Sequence, residues 1–157
     1  MTALISPVVT ERDLDAVRTL MAEYAETFEV ADRCFEGVDR ELAELPGAYA
    51  PPDGALYLAR DPAGEPLGCI ALKPVGDDTC EMKRLYVRPA AQGQGLGRRL
   101  AEALIAHARS SGAKAIRLDT LSQMRAAQAL YSDLGFTQIA PYNANPTPGI
   151  IYLELKL

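Results

Sequence analysis

The chain has 157 residues, 48% hydrophobic and 24% charged, the composition of one globular domain with a real core rather than of a disordered chain. No apolar run approaches the ~20 residues that span a bilayer, and Met1 to Val9 has neither the basic flank nor the length of a secretory signal. The net charge of −5 hides an asymmetry: residues 1–50 hold eleven acids against four arginines, while residues 51–157 hold ten acids against twelve Lys and Arg. An acidic stretch of that kind either forms solvated helix faces or attracts a cationic partner. No basic stripe interleaved with aromatics occurs outside one short turn within residues 81–99, which argues against nucleic acid as a partner. Cys34, Cys69 and Cys80 are odd in number and show no metal or redox spacing. They are expected to be reduced thiols in a cytoplasmic protein with no bound metal.

In chain order, Leu4 to Val9 predicts a strand that Pro7 confines to a sheet edge. Thr10 with Asp13 signals a helix start, and Leu14, Val17, Met21, Tyr24, Ala25 and Phe28 fall on one face behind it. Beyond a polar stretch, Phe35, Val38, Leu42 and Leu45 predict a second short helix stopped by Pro46-Gly47, then a Pro/Gly-rich loop to Gly54. Ala55 to Arg60 and Leu67 to Lys73 read as a hairpin about Asp61-Pro-Ala-Gly64. A second turn takes Pro74 to Asp78, and Thr79 to Val87 is a long strand. A third helix, about Gly95 to Ser110, turns Leu96, Leu100, Ala103, Leu104 and Ala108 inward and closes at Gly112 in a left-handed cap. Lys114 to Asp119 follows as a strand, which the helical connection makes parallel to the previous one with a right-handed crossover. Ser122 is placed to cap a fourth helix, with Ala127, Leu130, Tyr131 and Leu134 on one face and Gly135 as its stop. Gln138 to Ala140 and Ile150 to Lys156 are final strands around a Pro/Asn-rich loop, Pro141 to Gly149.

The most informative stretch is Glu81 to Leu100. Pro89 ends the strand because it fixes φ and has no N–H for a ladder. Glycines at 93, 95 and 97 then lead into the third helix, whose first amides have no internal partners. Together with the positive end of the helix dipole, they form a site for phosphate oxygens. Five bases surround the turn, Lys83, Arg84, Arg88, Arg98 and Arg99, and Glu81 is the one acid in 81–99. A P-loop would need Lys followed by Ser or Thr after the glycines, and neither pair is present. A dinucleotide turn would need glycine at 98, which is Arg98, although Asp119 imitates its ribose-binding acid. The pattern that does fit is Gln-x-x-Gly-x-Gly, met by Gln92, Gly95 and Gly97.

That pattern resembles the pyrophosphate-binding motif of the GCN5-related N-acetyltransferases (GNAT). The element order and the run Ala129-Leu-Tyr-Ser-Asp-Leu-Gly-Phe136 resemble the same superfamily across essentially the whole chain. Leu45-Pro-Gly-x-Tyr49 and Pro51-Pro-x-Gly54 are similar to bacterial small-molecule members. The resemblance implies an α/β fold in a single domain over 1–157. Its mixed, mostly antiparallel central sheet would have one splayed parallel strand pair, with helices on both faces. It also implies acetyl-CoA as co-substrate and no metal, with cofactor contacts from Leu85, Tyr86, Val87, Gln92, Gly93, Gln94, Gly95, Leu96, Gly97 and Arg98. Many members carry Asn after the fifth strand, where this chain reads Asp119-Thr-Leu-Ser122-Gln123, so Ser122 or Gln123 would substitute.

Two side chains are implied to carry the chemistry. Glu81 aligns with the family's glutamate base, and strand alternation would put it on one face with Lys83, Leu85 and Val87. The alternative is a sheet glutamate paired with Lys83. Tyr131 matches the tyrosine that protonates the departing thiolate, the alternative being an aromatic packed under the fourth helix. His107, the only histidine, lies on the third helix's apolar face and reads as a packed side chain.

The expected activity is acetyl transfer from acetyl-CoA to a small-molecule or peptide amine by direct attack in a ternary complex. A non-catalytic acyl-CoA-binding module and a dinucleotide-dependent oxidoreductase are the competing classes. A homodimer is a candidate assembly, and neither nucleic acid nor membrane is an expected partner. The segment from Glu29 to Asp39 carries Glu29, Asp32, Glu36 and Asp39 against Arg33, which predicts a preference for cationic acceptors.

Overall fold

The computed structural model describes residues 2–27 and 38–157. The elements run β1 (Leu4–Pro7), α1 (Glu11–Glu26), α2 (Val38–Ala43), β2 (Ala55–Arg60), β3 (Pro66–Gly76), β4 (Thr79–Val87), α3 (Leu96–Ser110), β5 (Ala115–Leu121), α4 (Arg125–Asp133), β6 (Thr137–Ile139) and β7 (Ile150–Lys156). The order is the one read from the sequence. The strands form a seven-stranded sheet in the order β1-β2-β3-β4-β5-β7-β6. Every neighbouring pair is antiparallel except β4 and β5, which are parallel.

Helix α1 starts where its cap dictates. Thr10 Oγ1 accepts from the Asp13 N–H at 3.1 Å, and Asp13 Oδ2 accepts from the Thr10 and Val9 N–H groups at 3.2 and 3.1 Å. Two of the helix's orphan donors are thereby satisfied reciprocally. Val17, Leu20 and Met21 of α1 pack on one sheet face against Leu56, Leu58, Cys69 and Tyr86. Leu20 is fully buried although it lies outside the predicted face, because the apolar stripe is wider than the predicted one. Phe28, Cys34 and Phe35 lie outside the described residues. On the opposite sheet face Leu100, Leu104 and Ala108 of α3 pack on Ile70, Leu72, Met82, Ile116 and Leu118. With helices on both faces the sheet is covered where its apolar residues need it.

Three local readings are corrected. Strand β3 continues to Gly76 instead of ending at Lys73: Pro74 still pairs with Cys80, and a register shift leaves Val75 as the extra residue before Gly76 pairs with Thr79. Strand β5 runs two residues past Asp119, to Leu121, paired along its length with β7. Helix α4 is preceded by Met124 and has no side-chain cap, so Ser122 does not start it.

A fourth difference decides the site. Lys83 pairs with Ala71 and Tyr86 with Cys69, so Arg84 and Leu85 together oppose Ile70. This is a β-bulge, with Arg84 in the left-handed region at φ 61. One extra residue reverses the alternation of faces. Met82, Leu85 and Val87 therefore face α3, while Glu81, Lys83 and Tyr86 face α1. Glu81 consequently does not share a face with Leu85 and Val87.

Candidate active site

Parallel pairing of β4 with β5 covers Thr79 to Ala115, Cys80 to Ile116 and Glu81 to Arg117, and then stops. Beyond Glu81, β4 stays with β3 and β5 stays with β7. The sheet is therefore split between two strands that remain anchored on their outer sides. The Arg88 N–H donates to the Leu67 carbonyl of the β3 side at 2.8 Å. Ladder alternation then turns the Val87 amide, and Leu85's with it, toward the split, where no strand among the described residues accepts them. The Val87 carbonyl on that side accepts from Gln92 Nε2 at 3.0 Å.

The glycine turn closes one end of the split. Gly93 and Gly95 take φ of 80 and 77, values a side chain strains to adopt, and Gly95 is the N-cap of α3. Arg99 is the first amide to bond back into the helix, to the Gly95 carbonyl at 3.1 Å, which leaves the amides at 96–98 as free donors. A Cβ at Gly97 would meet Leu130 Cδ2 at 3.7 Å and nothing closer, so its approach face is open. A groove of about 740 Å³ runs over this turn, and all the predicted cofactor residues except Gln94 and Ser122 line it. Gln123 lines it too, whereas the Ser122 N–H is engaged with the Gly149 carbonyl at 2.8 Å.

The five bases do not converge on the turn. Arg98 lines the groove. Arg84 is 8% exposed and bonds Glu41 at 2.9 and 3.3 Å; Arg88 bonds Glu23 at 2.6 and 2.9 Å; and Arg99 donates to the Ala3 carbonyl at 2.8 Å. Charge at the turn thus comes from the helix amides and Arg98.

Inside the split lies a second cavity of about 130 Å³, lined by Tyr24, Lys83, Arg84, Asp119, Tyr131 and Asn145 among others. Tyr24, Leu85, Met124 and Ala127 border both spaces, so groove and cavity meet. Tyr131 is buried, with its ring tilted on Phe136 at 5.6 Å. Its hydroxyl makes no hydrogen bond among the described residues. Burial, and then the neighbouring Tyr24 and Asp119, raise its pKa, so the phenol holds its proton.

Glu81 is the last residue of β4 paired to β5 and is 4% exposed. The Tyr142 hydroxyl donates to its Oε2 at 2.6 Å, and the Lys73 and Lys83 Nζ atoms lie 3.6 and 3.7 Å from its Oε1. The ion pair with Lys83 anticipated for a sheet glutamate is therefore present, and the carboxylate does not line the cavity.

Tyr142 was missed in the sequence because it sits in a loop without periodicity. The only signal was an aromatic inside Tyr142-Asn-Ala-Asn-Pro146, just before the last strand. Its ring stands edge-on to Tyr152 at 5.2 Å, and Asn143 Nδ2 donates to Asp119 Oδ2 at 3.2 Å, so this loop is tied across the split. His107 lies elsewhere, its Nδ1 3.5 Å from the Tyr57 hydroxyl. Among the described residues no group of three or more His, Cys, Asp or Glu could hold a metal, and no helix is long and apolar enough to cross a membrane. Glu29, Asp32, Arg33 and Glu36 lie outside the described residues.

The sequence profile of the acetyltransferase (GNAT) family matches residues 17–136, and the chain belongs to that family. An uncharacterized N-acetyltransferase of Schizosaccharomyces pombe is 41% identical over 154 residues, covering 98% of this chain and 94% of that one. A crystal structure from Klebsiella pneumoniae is 28% identical, with a TM-score of 0.74 over 99% of this chain and 98% of its own. The PaiA N-acetyltransferase of Thermoplasma acidophilum, in complex with coenzyme A, shares the fold over the full length of both chains at a TM-score of 0.78 and 18% identity.

Proposed function

We propose that the protein moves the acetyl group of acetyl-CoA to a primary amine, by direct attack in a ternary complex. The observation that carries this reading is the continuous path from the glycine turn, through the split sheet, to the unbonded hydroxyl of Tyr131. The open face at Gly97 and the free amides at 96–98 suit a pyrophosphate. The coenzyme A held by the PaiA enzyme of the same fold adds support. The split also makes Val87 and Leu85 amides available as donors to a pantetheine amide and to the thioester carbonyl, where negative charge develops.

An alkylammonium with a pKa near ~10.4 costs about 4–5 kcal/mol to deprotonate at neutral pH. Glu81, acting through water, takes that proton as the amine nitrogen attacks the carbonyl carbon. The carbon–sulfur bond breaks, and the thiolate takes a proton from the Tyr131 hydroxyl. The second proton lost from the acylated nitrogen returns through water to Tyr131, leaving amide and free thiol. Tyr142 positions the Glu81 carboxylate by its short hydrogen bond. A cytoplasmic location belongs to the same proposal.

The test is release of free thiol from acetyl-CoA with and without amines, amino acids and peptide N-termini. Amine-dependent release is expected. Tight acetyl-CoA binding without such release would favour a non-catalytic acyl-CoA-binding module instead. The oxidoreductase reading loses its footing in the sheet, because a dinucleotide fold needs parallel strands on both sides of its turn and only β4 and β5 are parallel among the described residues.

A further inference from the structure

We propose that the acceptor amine also carries a carboxylate, as an amino acid does, and that Lys83 holds that carboxylate in the cavity of the split. This rests on the N-acetyltransferase reading and adds the acceptor's class. Lys83 projects from the α1 face of β4, opposite Ala71, and lines the same cavity as Tyr131. Its side chain is 21% exposed. Among the described residues its nearest carboxylate is Glu81 at 3.7 Å, beyond hydrogen-bond length, with Glu41 as a further attraction. Glu81 is already bonded by Tyr142 at 2.6 Å and faced by Lys73 at 3.6 Å. Two ammonium groups thus share one carboxylate that a phenol also occupies. The other base on this wall, Arg84, directs its guanidinium into two bonds with Glu41. A largely enclosed ammonium that shares its counter-charge with a second cation gains from an anionic ligand group.

The opposite wall has the opposite sign. Asp119 of β5 lines the cavity, its carboxylate oriented by Asn143 at 3.2 Å. A cation on one wall and an anion on the other suit a small zwitterion, with its carboxylate on Lys83. A diamine would set its second charge against Lys83. This reverses the preference that the acid-rich segment before Asp39 predicts, and it rests on residues the structure places on the cavity wall.

The experiment compares kcat/KM for a set of L-amino acids, their carboxamides and diamines of matched length, each corrected for its fraction of free amine. Wild type is expected to favour the amino acids by at least about tenfold over both other series. In Lys83→Met the ratio of amino acid to carboxamide should fall to near one, mainly through KM for the amino acid, while Lys83→Arg retains most of it. Carboxamides or diamines used as well as amino acids by wild type would overturn the proposal. So would a Lys83→Met variant that loses both series in equal measure. Turnover confined to amides or diamines removes this inference alone, whereas acetyl-CoA binding without turnover of any amine removes the transferase reading beneath it as well.

Discussion

Tyr131 and Tyr142 both border the split, and burial keeps both phenols protonated at neutral pH, yet their hydroxyls meet different things. Tyr142 is committed to Glu81, whereas Tyr131 has no hydrogen bond among the described residues and faces the cavity. A neutral donor without a partner is what a departing thiolate needs. Tyr131→Phe keeps the ring and deletes the donor, so kcat should fall on the order of 10²-fold with little change in acetyl-CoA affinity. A near wild-type kcat would make Tyr131 a packed aromatic, with water supplying the proton. Sequence alone pointed to Tyr131 through its motif and helix face. It misplaced Glu81 relative to Leu85 and Val87, because alternation assumes one residue per rung and Arg84 adds another. It also omitted Tyr142, whose role exists only once a loop about sixty residues away in sequence folds back over β4.

At the scale of elements, the glycine turn and the cap of α1 were both legible, since each rests on neighbouring residues. Gly97 has an ordinary φ and open space, so a larger residue there leaves the fold intact. Gly97→Glu would set a carboxylate among the amides of α3 and should raise the acetyl-CoA Kd at least tenfold, about 1.4 kcal/mol. Unchanged affinity in the folded variant would contradict the phosphate assignment. At α1, the Asp13 carboxyl is pulled down from 3.8 to about 2, chiefly by the Val9 N–H and then by Arg60, against the opposing effect of burial. A carboxyl whose folded pKa is depressed stabilises the native state above its unfolded value and loses that contribution as pH falls through the folded one. Asp13 should therefore contribute up to about 2 kcal/mol at neutral pH, lost between about pH 4 and pH 2. Urea titrations of Asp13→Asn should show lower stability at neutral pH and a shallower acid decline than wild type. Parallel curves would remove Asp13 as the source. The bulge in β4 and the end of its pairing with β5 were not legible in detail, because both depend on partners set by tertiary packing.

Across the whole molecule, the charge asymmetry read from the sequence finds a structural use. Asp13 and Glu41 of the acidic N-terminal third pair with Arg60 and Arg84 of the sheet, and Glu23 with Arg88 just past the end of β4. These pairs attach α1 and α2 to the sheet face that carries Glu81, so part of the acidity holds the fold together. Glu41→Ala removes the carboxylate that the buried Arg84 guanidinium bonds twice and should cost about 3–5 kcal/mol in chemical denaturation. The exposed Arg40–Glu44 pair is worth less than about 1 kcal/mol, so equal losses in Glu41→Ala and Glu44→Ala would contradict the distinction. Element order and fold class were readable because hydrophobic period and turn residues act locally. The division of each charge between binding and structure was not, since pairing is long-range. The central claim is that acetyl passes directly from thioester to amine in the split sheet, and the initial-velocity pattern with acetyl-CoA and amine varied together tests it most directly. Intersecting double-reciprocal lines, with no acetylated protein after incubation with acetyl-CoA alone, are predicted; parallel lines with a trapped acetyl-enzyme would contradict the account.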